Sequence, residues 1–329
     1  MQSIDKKPIY TGKAKDIFET EDVYILRAYF RDSATAFNAQ KKGEIKDKGI
    51  VNATMSKELF ELLENQGIKT HFIKQISDRE LLVKRVKIIP IEVIVRNISA
   101  GSLCKRLGIE EGRLLKEPLV EFSYKKDELG DPLLPREYIL NVLEICDEEM
   151  LNRIICESKK INEIFKTFFL NVGIKVVDFK LEYGIDSEGN LILADELSPD
   201  NFRFWDSKTN EKLDKDRFRQ SLGKIEEAYL EMLKRTKEGR KIFKMTTTKQ
   251  TFKAKVQVLP KKDILDPQGQ TVEKALTSLG YSNISSVNIG KEIEFEISAS
   301  SKEEAISQIN EMCQKLLANP VIEDYKIII

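Results

Sequence analysis

The residues best equipped for chemistry lie on one short stretch, Val177-Asp178-Phe179-Lys180-Leu181-Glu182-Tyr183. On a strand, successive side chains point to opposite faces, so Asp178, Lys180 and Glu182 share one face while Phe179 and Leu181 share the other. Three charges of both signs on one face of an otherwise apolar strand need partners or a ligand. The following apolar run ends in Asp195-Glu196-Leu197-Ser198-Pro199-Asp200, and pairing through the turn-rich residues 186–190 brings Asp195 towards Glu182. Two carboxylates so placed suit a Mg²⁺ shared with nucleotide phosphates, because magnesium takes one or two carboxylates and keeps phosphate and water ligands. A surface strand with solvated charges is the competing reading.

Three further segments could handle anions. Tyr10-Thr11-Gly12-Lys13-Ala14-Lys15 is a Gly-Lys turn, not a Walker A loop, and reads either as a cover for triphosphate oxygens or as a plain hairpin tip. Val95-Arg96-Asn97-Ile98-Ser99-Ala100-Gly101-Ser102 ends a strand and enters a short helix. Ser102 there is a phosphate ligand or simply an N-cap, and Arg96 can fork onto an anion. Asp214 to Gln220 sets Arg217 and Arg219 at a helix start, where cations oppose the helix dipole unless an anion is present. His71 reads as structural, Trp205 as packed, and Cys104 as a small apolar residue near the Ser102 segment.

The elements that must hold these residues are mixed. Val23 to Leu26, Leu81 to Val83 and Ile91 to Arg96 read as strands. Gly49 to Gln66 reads as a helix closed by Gly67, and Asp147 to Asn171 as a longer amphipathic one. Strands Lys175 to Tyr183 and Leu191 to Ala194 follow, then a last helix over about Phe218 to Lys234 with Leu222, Ile225, Tyr229 and Leu233 inward. Residues 1–237 thus form one α+β domain, and the polar stretch 238–251 reads as a linker. Residues 252–329 have their own pattern. A strand alternates through Ala254, Val256 and Val258, and Asp266-Pro267 opens a helix with Val272, Ala275, Leu276 and Leu279 on one face. Strands at Ser286 to Ile289 and Glu292 to Ile297 flank Gly290-Lys291, and Ser301-x-x-Glu304 is a capping box for a helix bearing Ile306, Ile309, Met312, Cys313 and Leu316. Val321 to Ile329 adds a final strand. The order βαββαβ predicts a ferredoxin-like sandwich.

Bulk properties exclude several classes. The chain has 329 residues, 54 basic and 54 acidic, which disfavours a nucleic-acid or membrane-surface binder. Four scattered cysteines and one histidine disfavour a zinc site or a disulfide framework. No apolar run of signal-peptide or membrane-span length is present, so a cytoplasmic protein is expected.

YTGKAKDIF, DSATAFNAQKKG, VIVRNISAGSLCKRLGIEEG, VDFKLEYGI, ADELSPDNFRFWD and DKDRFRQSLG together resemble SAICAR synthetase, over about residues 8–236. The resemblance implies an ATP-grasp-like, kinase-reminiscent two-lobed fold. It also implies ligation of L-aspartate to the carboxylate of the ribonucleotide CAIR, with ATP converted to ADP and phosphate. It would set Lys13 and Lys15 at the ATP phosphates, Lys84 in the hinge beside adenine, Lys125 near the nucleotide, and Mg²⁺ on Glu182 and Asp195. Arg96, Ser102, Arg203 and Arg219 would grip CAIR, Lys180 would sit at the reacting centre, and Asp200 and Asp131 would line the substrate pocket. Whether Thr35 or Asn38 meets substrate stays open. VQVLPKKDILDPQGQTVEKALTSLGY, VNIGKEIEFEI and EMCQKLLANPVIEDYKI resemble the small S subunit of FGAM synthase. That implies a non-catalytic module that forms a homo-oligomer and bridges the large synthetase subunit and the glutaminase. The alternative is a small-molecule kinase with a C-terminal regulatory ligand-binding domain.

Overall fold

The computed structural model describes residues 7–36, 41–247, 250–261, 264–299 and 302–329. Asn38 and Ser301 lie outside them, as does the side chain of Thr35. The chain divides into two compact units, residues 1–241 and 242–329, both mixing helix and strand.

The first unit begins with strands β1 (Tyr10–Thr11), β2 (Lys15–Glu19), β3 (Ile25–Phe30), β4 (Ser33–Ala36) and β5 (Lys41–Glu44), followed by helix α1 (Lys48–Glu64). Strands β6 (Phe72–Ser77), β7 (Glu80–Lys84) and β8 (Lys87–Ile98) lead to helix α2 (Ser102–Leu107), strand β9 (Leu114–Tyr124) and helix α3 (Glu148–Leu170). Strands β10 (Ile174–Ile185), β11 (Leu191–Ala194) and β12 (Phe202–Asp206) come next, then helices α4 (Asp216–Arg219) and α5 (Ile225–Thr247). One sheet has the order β1-β2-β3-β7-β6; a second runs β11-β10-β8-β9, with β12 also paired to β10, and β4 pairs with β5.

The second sheet carries the core. Phe179 on β10 pairs in register with Phe202 on β12, their rings stacked at 5.0 Å, and Phe165 of α3 meets both edge-on at 5.6 and 5.3 Å. Such contacts add about 0.5–1.5 kcal/mol each beyond area burial. Helix α3 is started by Asp147, whose carboxylate accepts the Met150 N–H at 2.8 Å, and Glu148 and Glu149 suit its N-terminal dipole. Leu151, Ile154, Ile161, Phe165 and Phe168 are buried, as the helical spacing predicts.

The expected last helix is broken. Ser221, Gly223 and Lys224 all have positive φ, so α4 ends after one turn and α5 starts at Ile225. Leu222, expected inward, is 48% exposed. The stretch read as a linker over 238–251 is helical as far as Thr247 and β-strand from Gln250. Lys, Glu, Arg and Met are good helix formers, and polarity alone does not stop a helix.

The second unit consists of β13 (Gln250–Pro260), α6 (Pro267–Ser278), β14 (Lys291–Ala299), α7 (Lys302–Met312) and β15 (Glu323–Ile328), with sheet order β14-β13-β15. The strand expected at Ser286 to Ile289 does not form. Its amides serve helix α6 instead: Val287 donates to Glu273 at 3.1 Å and Ile289 to Asp266 at 2.7 Å. Ala254, Val256, Val258, Ile297, Ile309 and Cys313 build the core. After Met312 the helix widens into a π-turn over Cys313–Leu317, which shifts its register, and Leu316 is 83% exposed. No helix among the described residues is long and apolar enough to cross a membrane.

His71, buried edge-on to Phe60, is held neutral: burial, then the Lys15 charge, lowers its pKa from 6.5 to about 3. Below pH 6.5 the unfolded chain gains a proton that the folded chain refuses, so stability falls as pH drops towards 3, by up to a few kcal/mol. Urea titrations between pH 7 and 4 should show a shallower loss for His71→Phe than for the parent. Equal slopes would place the acid sensitivity elsewhere.

Candidate active site

The register of the second sheet assembles the site. On β10, Asp178 lies opposite Arg96 and Glu182 opposite Glu92, both on β8. Asp178 also lies opposite Arg203 on β12, and Glu182 opposite Ala194 on β11. Directly opposed residues share a face, so one pleat phase delivers Asp178, Lys180, Glu182, Glu92, Arg96 and Arg203 to one side. The hairpin of β1 and β2 contributes Gly12, Lys13 and Lys15 to the same cleft, of about 420 Å³.

One end of the cleft is built from guanidinium groups. Arg96, 2% exposed, donates Nη1 to Asp178 at 2.7 Å, Nε to Glu121 at 2.7 Å and Nη2 to Ser102 Oγ at 3.1 Å. Arg203 donates Nη1 to both oxygens of Asp178 at 2.9 Å and Nε to Asp216 at 2.8 Å, while Arg219 reaches Asp216 at 2.6 Å. Against burial, the charges of Arg203 and Arg219 hold Asp216 below its ordinary range; against burial too, Asp178 and Asp216 raise Arg203. These arginines are fixed before any ligand arrives. Gly101 is needed here: its φ is +56°, and a Cβ would stand 2.4 Å from Arg203 Nη2.

The other end centres on Lys180. Its ammonium lies 2.6 Å from Glu182, 2.9 Å from Glu92 and 3.3 Å from Asp195. Burial favours the neutral amine, but the charges of Glu182, Asp195 and Glu92 raise Lys180 well above the ordinary lysine value. The arrangement therefore favours its charged form. Lys125 pairs with Glu182, and Lys15 with Asp195. Asp195 is kept ionised against burial by Lys15 and Lys180, and its φ of 65° is left-handed. Glu182 and Asp195 form an all-oxygen pair about one ammonium, which is what Mg²⁺ uses when phosphates complete its shell. No cluster of three or more His, Cys, Asp or Glu residues positioned for a metal occurs among the described residues.

Of the residues named from sequence, Lys13, Lys15, Arg96, Ser102, Lys125, Lys180, Glu182, Asp195, Asp200, Arg203 and Arg219 line this cleft. Lys84 and Asp131 do not. Lys84 ends β7, its N–H bonded to the His71 carbonyl, and it lines a separate surface pocket with Glu64 and Asp186; the Asp131 carboxylate accepts the Lys126 N–H. Arg217 turns away to Glu211 and the Gly223 carbonyl. Glu92, Asp127, Glu196, Asn201 and Lys215 line the cleft but escaped the sequence reading. Glu92 was within reach of it, since counting back from Arg96 by twos gives Ile94 and Glu92. Trp205 packs with Ile98, Ala100 and Val177.

Both units are similar to known proteins. Residues 8–236 match the family described as SAICAR synthetase, and residues 253–329 match that described as phosphoribosylformylglycinamidine (FGAM) synthase. Phosphoribosylaminoimidazole-succinocarboxamide synthase of Caldanaerobacter subterraneus subsp. tengcongensis is 53% identical, covering 71% of this chain and 98% of that relative. The enzyme of the same name from Wolinella succinogenes is 54% identical, covering 69% and 96%. Among solved structures, the Ehrlichia chaffeensis synthase superposes with a TM-score of 0.69 at 46% identity, covering 70% of this chain and 98% of that one. A SAICAR synthetase in complex with ADP gives 0.67 at 47% identity, covering 70% and 97%.

Gly101→Ala should push Arg203 off Asp178 and strain the backbone, destabilising the first unit by about 1–3 kcal/mol. Urea unfolding with the parent's free energy would mean the site yields without cost.

Proposed function

The chain belongs to the SAICAR synthetase family, and on that premise we propose that its first unit joins L-aspartate to the carboxylate of CAIR, giving SAICAR, ADP and phosphate in purine biosynthesis. The observation that carries this reading is the division of one cleft between a guanidinium end and an ammonium–carboxylate end. A carboxylate is a poor electrophile, so the γ-phosphoryl group passes first to CAIR, making an acyl phosphate. The aspartate amine then attacks the acyl carbon, phosphate leaves with the bonding pair, and the amine loses its proton. Arg96, Ser102, Arg203 and Arg219 grip the phosphate and carboxylate of CAIR. Lys13, Lys15 and Lys125 face ATP, and Lys180 offsets the charge developing on the transferred group. Asp200 faces the substrate. Mg²⁺, held by Glu182 and Asp195, would neutralise phosphoryl oxygens when bound. Roles for Lys84 beside adenine and Asp131 in the substrate pocket draw no support from the cleft lining.

Residues 252–329 act, in this proposal, as a non-catalytic module that dimerises and docks to the FGAM synthase large subunit and glutaminase. Its support is an uncovered apolar face on and after α6, where Val272 is 38% exposed, Leu279 75% and Tyr281 55%. The ATP-grasp-like description of the first unit and the ferredoxin-like description of the second belong to the same reading, the latter weakened by the strand that does not form.

Phosphate release should require both CAIR and aspartate; ADP formation without aspartate and without free phosphate would favour a kinase. Glu182→Gln and Asp195→Asn should each lower turnover at least about 10²-fold while the fold, checked by circular dichroism, stays intact. Near-parent turnover would remove that residue from the reacting end. Leu279→Glu should abolish co-purification with the two FGAM synthase subunits and leave the ligase rate alone. Undiminished capture would move the docking surface off α6.

A further inference from the structure

Lys48, the first residue of α1, is 0% exposed and stands outside the cleft lining. A buried lysine is costly, and at the amino end of a helix its charge also opposes the helix dipole. No acidic residue occupies the first turn of α1. Its ammonium is met by Asp200 Oδ2 at 2.6 Å. The other oxygen of Asp200 accepts the Tyr229 hydroxyl of α5 at 2.6 Å, and Lys215 lies 3.5 Å away. Glu196, on the same loop, is a further ionisable neighbour. Burial and the Asp200 charge keep the Tyr229 phenol protonated, so it donates.

Helix α1 presents more than one such contact. Lys48, Asn52 and Ser56, four residues apart and all 0% exposed, form a polar stripe on one helical face. Ser56 Oγ accepts the Leu197 N–H at 3.1 Å, so the stripe holds the 197–200 loop at both ends. We propose that Lys48, with Tyr229, is a positioning residue that holds the Asp200 carboxylate aimed into the cleft. The inference rests on the reading above that Asp200 faces the substrate. The charges agree with the geometry: burial raises the Asp200 pKa, whereas Lys215 and Lys48 lower it well below the ordinary carboxylate range.

The test is kcat/KM for CAIR at pH 7 in Lys48→Met, Lys48→Arg, Tyr229→Phe, Asp200→Asn and the Lys48→Met/Asp200→Asn double variant, each checked for folding by circular dichroism. Lys48→Met should lose about 10²-fold through misplacement of Asp200. Tyr229→Phe should lose less, and Lys48→Arg, which keeps the charge, should recover most of the Lys48→Met loss. In the Asp200→Asn background Lys48→Met should cost little more, since the group it positions is already gone. A folded Lys48→Met with parent-like kcat/KM, or one whose loss adds in full to that of Asp200→Asn, overturns the proposal. If that variant does not fold, parent-like kinetics in Tyr229→Phe overturn it instead. Parent-like kinetics in Asp200→Asn would show instead that Asp200 has no part at the substrate, a failure of the underlying reading.

Discussion

Strand β10 has only one tolerable orientation, and the site follows from it. Phe179 is stacked on Phe202 and covered by Phe165, and Tyr183 ties its hydroxyl to Ser158 at 2.9 Å beneath α3. Slipping the strand by one residue would bury Asp178, Lys180 and Glu182 among those rings, at a cost no hydrophobic contact could offset. The aromatic layer therefore fixes which way the charges point. Because pleat phase propagates through directly opposed pairs, fixing β10 also fixes the facing residues of β8 and β12.

Charges forced onto a half-buried face must be compensated, and here the compensation is the site itself. Asp178 is shared by Arg96 and Arg203, Asp216 by Arg203 and Arg219, and the Lys180 ammonium by three carboxylates. Such lattices contribute little net stability, since desolvation cancels much of the attraction. Their value lies in order. Each cation sits in a defined geometry before a ligand enters, so the reorganisation that water would require has already been met during folding. The same lattice favours the ammonium form of Lys180, because its three carboxylates outweigh the effect of burial.

The charged face was legible in the sequence because alternation needs nothing beyond the strand itself. So was the apolar stripe of α3, which is a local signal. The partnerships were not. Glu121 on β9 grips Arg96 across 25 positions of sequence, and Lys48 meets Asp200 across 152. A lysine opening a helix reads as exposed, because only tertiary packing reveals that its ammonium is enclosed. The missing strand at Ser286 to Ile289 failed for a related reason. Its β-like pattern competed with two carboxylates of α6 for the same amides, and the carboxylates won. The break after α4 was partly legible, since Gly223 is the residue type that normally marks one, but positive φ at Ser221 and Lys224 was not.

The second unit poses the opposite problem to the first. Its core is assembled largely from small residues, Ala254, Ala299, Ala305, Ala318 and Cys313, around Val256, Val258, Ile297 and Ile309. Meanwhile Leu279, Leu316 and Val321 are 75%, 83% and 77% exposed. A domain of this size buries a smaller share of its surface than a larger one and has little apolar area to waste. Large side chains held out of a core made of small ones are therefore informative about partners. Exposed apolar side chains of this size are the kind of surface that protein–protein contacts cover. The first unit, by contrast, draws its cleft from its own elements, Ser102 of α2, Arg219 of α4 and the loop after β11 adding to the sheet and the β1–β2 hairpin.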